Sequence, residues 1–163
     1  MGLSSEWERM ILQVIFKRGG PTGNQPNGVY TSPFSICHSL HSADPTDLHT
    51  TAQANELTGG GYARAILGCD PDINTHVTWN AIDQPTSTYQ QITNKQDINF
   101  PVATANWNSG NPIGFVGFWR VTSGGTAGEY IGSTAINPTV VVLSGNTLRF
   151  QGGTPGQMSF RIG

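Results

Sequence analysis

The sequence predicts a mainly β protein: a single β-sandwich domain, jelly-roll-like, with one N-terminal α-helix. Three observations carry this expectation. Glycine (21 residues) and proline (10 residues), together with many Thr, Ser and Asn, cut the chain into short apolar stretches. Inside several of those stretches apolar residues alternate with polar ones, the period of a strand. The stretches recur about every 8–12 residues, the spacing of sandwiches and jelly rolls rather than of βαβ units. A length of 163 residues suits one domain. It divides into a helix and Gly/Pro-rich linker over 1–28 and the sandwich over 29–163.

The helix is read from Ser5 and Glu8, which fit a capping box, and from Trp7, Met10, Ile11 and Val14, which recur at i, i+3, i+4 and i+7. Leu12, Ile15 and Phe16 widen that apolar face. Gly19-Gly20-Pro21 ends the helix, and the tract to Gly28 is too rich in breakers for regular structure. The first strand is Phe34–His41, where Phe34, Ile36, His38 and Leu40 alternate with Ser35, Cys37, Ser39 and His41. Further strands are expected at 62–67, 76–82 and 98–100, with a polar loop or short hairpin over 83–95. Ile113–Val121 is apolar on both parities, as a strand covered on both faces is. It is therefore placed at the centre of the sheet, with Gly114 and Gly117 admitting a close neighbour. A turn at 123–126 leads to strands at 129–133, 139–143, 147–151 and 157–162.

Charge excludes several functions. Eight basic and ten acidic residues make up 11% of the chain, against about 25% in an average soluble domain. With a net charge of −2 there is no basic footprint for nucleic acid. No apolar run reaches the roughly 20 residues of a membrane span. The apolar segment Met10–Phe16 has Glu6 and Glu8 before it and Lys17-Arg18 after it, the reverse of a secretory signal. Synthesis in the cytosol is expected, with Cys37 and Cys69 in separate strands as free, buried thiols.

No catalytic, cofactor or metal site is predicted. His38 and His41 lie three apart on a strand, so they face opposite sides and share no ion. Asp70, Asp72 and Asn74 alternate as calcium ligands can, yet lack the terminal glutamate and the glycine of a calcium loop. Ser35, His38 and Asp44 are close in sequence but lack a nucleophile elbow. Gly59-Gly60-Gly61-Tyr62-Ala63-Arg64 lacks the lysine and the helix of a phosphate loop. Trp79, Trp107 and Trp119 would stack on sugars if exposed and fill a core if not.

Five runs, in order, carry a resemblance: Ser39-Leu-His-Ser-Ala-Asp-Pro45, Ala54-Asn-Glu-Leu-Thr-Gly-Gly-Gly-Tyr-Ala-Arg64, Ile98-Asn-Phe-Pro-Val-Ala-Thr-Ala-Asn-Trp107, Ile113-Gly-Phe-Val-Gly-Phe-Trp119 and Val141-Val-Leu-Ser-Gly-Asn-Thr-Leu-Arg-Phe150. The chain resembles a family of small virion structural proteins of tailed bacteriophages, known as minor tail, tail fibre or head-decoration proteins. It departs from that family in the more elaborate segment from Gly68 to Gln91. The resemblance implies a non-enzymatic virion protein without cofactor, first a capsid decoration or cement protein and alternatively a baseplate or tail-fibre component. A glycan-binding module is a third reading. The implied partners are further copies of itself, as a trimer, and the major capsid protein or tail proteins of the same virion. The helix face of Trp7, Met10, Ile11 and Val14 is the candidate attachment or oligomer surface.

Overall fold

In the computed structural model, residues 5–16, 34–45, 55–70, 76–86, 89–122 and 128–162 are described. The protein is mainly β, with one short helix and several antiparallel sheets. The helix is α1 (Ser5–Phe16). The strands are β1 (Phe34–His41), β2 (Ala65–Gly68), β3 (Asp83–Thr86), β4 (Tyr89–Thr93), β5 (Ile98–Asn99), β6 (Ile113–Thr122), β7 (Gly128–Val140), β8 (Arg149–Phe150) and β9 (Ser159–Ile162). The predicted linker over 19–28 lies outside the described residues. Two compact units divide the chain. One takes residues 1–34, 68–97 and 150–163, and the other takes 35–67 and 98–149.

In the first unit α1 packs on β4, and β4 is the middle strand of the antiparallel sheet β3-β4-β9. Glu8, Leu12, Gln13 and Phe16 are the buried helix residues among those described, and Glu8, Leu12 and Phe16 are spaced i, i+4 and i+8 along one stripe. Phe16 meets Trp79 edge-on at 4.6 Å and Phe160 at 5.6 Å between ring centroids. Full burial of Leu12 and Phe16 contributes about 1.5–3 kcal/mol each. Leu12 and Phe16 belong to the widened apolar face expected from sequence. Ile11 is half-buried, and the side chains of Trp7, Met10 and Val14 lie outside the described residues. At about 100° per residue, Val14 sits roughly 160° from Leu12 around the helix.

The strand expected at 76–82 does not form. The buried Asp70 carboxylate accepts hydrogen bonds from the amides of Val77 (3.2 Å), Thr78 (2.7 Å) and Trp79 (3.1 Å). Those donors are lost to a ladder, and Trp79 keeps a single bridge to Asn94. The 83–95 segment takes the hairpin form, β3 with β4. Pro85 is tolerated because β3 is an edge strand.

The second unit is built on the sheet β2-β1-β6-β7. β1 and β6 are its inner strands, and every residue from Ile36 to His41 is buried. The placement of β6 inside the sheet follows the sequence expectation. The strands expected at 129–133 and 139–143 are replaced by one long edge strand, β7. Two register shifts let it run on. Opposite Phe118 and Trp119 it carries one extra residue, Ile131. Between the pairs Ile113↔Val140 and Phe115↔Ala135 it bulges through Asn137-Pro138. Bulges and proline are compatible with an edge, where the outer amides need no strand partner. β5 pairs with β8 in a two-stranded sheet, extended by Phe100 N–H to Leu148 O (3.0 Å) and Ala103 N–H to Asn146 O (2.8 Å).

Candidate functional site

The chemistry-bearing side chains of the second unit converge on one face of β1 and β6. Strand alternation puts Cys37, Ser39 and His41 on the same face of β1. The Trp119 indole N–H donates to Ser39 Oγ at 2.7 Å, and Ser39 Oγ lies 2.7 Å from His41 Nε2. An indole nitrogen only donates, so Ser39 Oγ is the acceptor of the indole proton. All three residues are fully buried. A Cβ on Gly117 would fall 2.5 Å from Ser39 Oγ and 2.9 Å from His41 Nε2, which is why this strand position is glycine.

A charged brace covers this face. Arg64 donates to both oxygens of Glu56, Nε to Oε1 at 2.7 Å and Nη2 to Oε2 at 2.5 Å. Its guanidinium lies 3.8 Å from the centroid of the Trp119 ring, a cation–π contact. Tyr62 donates to Glu56 Oε1 (3.2 Å) and accepts the Leu40 amide (2.9 Å), tying the brace to β1. Burial, joined by the Glu56 charge, pushes the Tyr62 phenol up. Burial pulls the Arg64 guanidinium down, but the Glu56 bond and charge outweigh it and hold it above its ordinary value. Burial pushes the Cys37 thiol up to about 12, against a lowering pull from Arg64.

The three glycines between Glu56 and Tyr62 reverse the chain so that brace and strand meet. All three have positive φ, between 59° and 73°. At Gly60 a side chain would also crowd Ala105 O and Trp107, because Gly60 O accepts both the Trp107 indole (2.9 Å) and the Thr104 amide (2.8 Å). The second and third sequence runs are therefore two halves of one packed joint.

Beside the brace opens a cleft of about 280 Å³, lined by Ser42, Asn55, Glu56, Leu57, Thr58, Asn106, Asn108 and Ser109. Among the described residues, the non-glycine residues with positive φ are Asn55 (63°), Asn108 (49°) and Ser109 (54°), and all three line it.

The sequence candidates separate as follows. Trp79, Trp107 and Trp119 are all buried, at 0%, 1% and 0% exposure, so none is a sugar platform. They are large, and each indole N–H finds a partner inside. His38 and His41 do face opposite ways. His38 Nδ1 lies 3.3 Å from Ala65 O and its ring packs on Phe118, whereas His41 bonds Ser39. Asp44 accepts from Ser133, away from His38. Asp70 caps backbone amides, and Asp72 and Asn74 lie outside the described residues. Cys37 and Cys69 are free and buried, but Cys69 follows β2 rather than lying in a strand. Among the described residues no cluster of three His, Cys, Asp or Glu can hold a metal, and no helix is long and apolar enough to cross a membrane. Ser39 and His41 have the spacing of a nucleophile and its base, but they are sealed, and the indole occupies the hydroxyl.

The family model described as "Podophage GP4 fiber I protein gp80" matches residues 22–155. No curated protein and no solved structure matches the chain.

Proposed function

The chain belongs to this podophage fibre I protein family and is a virion structural protein, and from that premise we propose that it is a non-enzymatic subunit of the tail fibre apparatus. The single observation that carries the choice is the family match over residues 22–155. Head decoration, the first expectation from sequence, has no comparable support, whereas the tail component has the family's description behind it. The buried state of the Ser39–His41 pair supports a non-enzymatic role.

The subunit works by contact with other virion proteins and with copies of itself, as a trimer. The helix supplies an attachment surface through the arc of Trp7, Met10, Ile11 and Val14. The support is that Glu8, Leu12 and Phe16 already serve the protein's own packing. Low charge supports many-sided contact, because each unpaired ion buried at an interface costs several kcal/mol.

Quantitative mass spectrometry of purified virions tests the location. A fibre component is present at roughly tens of copies or fewer, as its symmetry allows, and a decoration protein at hundreds. A copy number matching the major capsid protein would overturn the fibre reading. For the attachment surface, Met10→Ser with Val14→Ser should leave the isolated protein folded but block its incorporation into particles. Normal incorporation would remove the helix from the interface.

A further inference from the structure

We propose that the cleft between the turn at 55–58 and the turn at 106–109 binds a neutral saccharide, one pyranose ring in size. This site is independent of where the protein sits in the virion.

The cleft's volume, about 280 Å³, is at the lower end of small-molecule sites, about 300 Å³. Its chemistry disfavours ions and apolar groups. The carboxylate in the lining, Glu56, is already engaged by Arg64 and Tyr62. The pair is neutral together, so the cleft offers no net charge to an ion. The apolar residue in the lining, Leu57, is 6% exposed, so a hydrophobic group finds no anchor. What remains are amides and hydroxyls. The side chains of Asn55, Thr58 and Ser109 make no hydrogen bond to the described protein. Asn106 adds an amide whose Oδ1 accepts the Ser144 N–H. Mixed donors and acceptors without charge suit the hydroxyls of a sugar ring.

The backbone points to the same place. A non-glycine residue at positive φ is uncommon, with asparagine the residue that enters this region most readily. The three such residues among those described, Asn55, Asn108 and Ser109, all lie on this cleft's walls. The turns set the backbone positions from which these polar side chains project before any ligand arrives. Such preorganisation limits the ordering that binding a flexible, polar ligand demands.

The test is a titration of the full-length ¹⁵N-labelled protein with the methyl glycosides of glucose, galactose, mannose, N-acetylglucosamine and rhamnose, each at millimolar concentration. At least one should cause saturable amide shifts confined to residues 55–58 and 106–109. Asn55→Gly with Thr58→Val keeps the positive φ and the side-chain shape while removing an amide and a hydroxyl. It should weaken binding roughly tenfold, the loss of one or two hydrogen bonds, at unchanged melting temperature. Ser109→Gly, which also suits its backbone, is the second variant and should weaken binding as well. No saturable shift at these turns with any of the five sugars overturns the proposal. So does wild-type affinity in both variants.

Discussion

Replacing Gly117 by alanine isolates the close packing around Ser39, and the structure sets its magnitude. The new Cβ would meet Ser39 Oγ at 2.5 Å, His41 Nε2 at 2.9 Å and Trp119 Nε1 at 3.3 Å. None of these is the loose end of a flexible side chain, because Ser39, His41 and Trp119 are fully buried and bonded to one another. Forcing a methyl into a packed core costs about 1–3 kcal/mol. Displacing the Ser39 hydroxyl strands a buried donor or acceptor, for about 1–3 kcal/mol more. Alanine recovers about 0.5–1 kcal/mol relative to glycine in a strand. The net loss is about 2–4 kcal/mol. For a chain of this size that lowers the melting temperature by roughly 5–15 °C. Gly114 is the internal control: it lies in the same strand, and its nearest foreign atom would be Thr139 Cγ2 at 3.8 Å. Gly114→Ala should be neutral or slightly stabilising. Both variants are compared by urea unfolding followed through tryptophan fluorescence. Equal midpoints for Gly117→Ala and Gly114→Ala would show that the Ser39 cluster is not held at the distances described.

Three further outcomes follow from the same unit. Glu56→Gln leaves the Arg64 guanidinium, whose side chain is 10% exposed, beside a neutral amide. It should destabilise by about 2–4 kcal/mol, below the full range for a wholly buried pair, and a double-mutant cycle with Arg64→Met should show positive coupling; independent effects would refute the brace. Burial lowers the His38 pKa to about 4, against a smaller raising effect of its bond to Ala65, while the unfolded imidazole titrates near about 6.5. Between those values the unfolded state binds the extra proton, so stability is full above pH 6.5 and falls as pH drops towards 4, by up to about 3 kcal/mol; an NMR titration placing His38 near 6.5 would contradict this. Cys37, held as a thiol by burial, should resist iodoacetamide in the native protein and react only after denaturation, and peptide mass spectrometry that finds it alkylated under native conditions would refute its burial.

What was legible in the sequence depended on whether a signal was local. The period of β1 and the two-sided apolar pattern of β6 describe the strands' own surroundings, and both elements form where they are expected. The helix is present too, with Phe16 of its expected apolar face buried, but the partners of Phe16, Trp79 and Phe160, are ones no local period reveals. The 76–82 stretch has the alternation of a strand and fails as one because a carboxylate seven to nine residues earlier takes its amides. Asn94 looks like a loop residue. It is a buried hub, accepting the Met158 amide and donating to the carbonyls of Gln96 and Gln151. At the candidate site, Ser39 and Trp119 are 80 residues apart in sequence. Two signals were readable there. Ser39 and His41 share strand parity, and Glu56 and Arg64 flank three glycines in a chain with few charges to spare.

Those few charges are scarcer at the surface than composition suggests. Of the 18 ionisable Asp, Glu, Lys and Arg residues, Glu8 and Asp70 are buried, and Glu56 and Arg64 are spent on each other beneath the cleft. Apolar side chains stay outside, among them Val102, Val141 and Leu143 at 46–58% exposure. A subunit that worked alone in water would gain from more charge outside to oppose association. Here the ions fix the interior geometry, where a bidentate Arg–carboxylate pair gives direction as well as energy. The described exterior carries charges such as Arg9, Lys95 and Glu129 among hydroxyls, amides and glycine, and short groups of that kind lie against a neighbour with little rotamer entropy to lose. The same neutrality that suits packing between virion proteins leaves the cleft beside Glu56 without net charge, and so selects for ligands recognised by hydroxyl pattern alone.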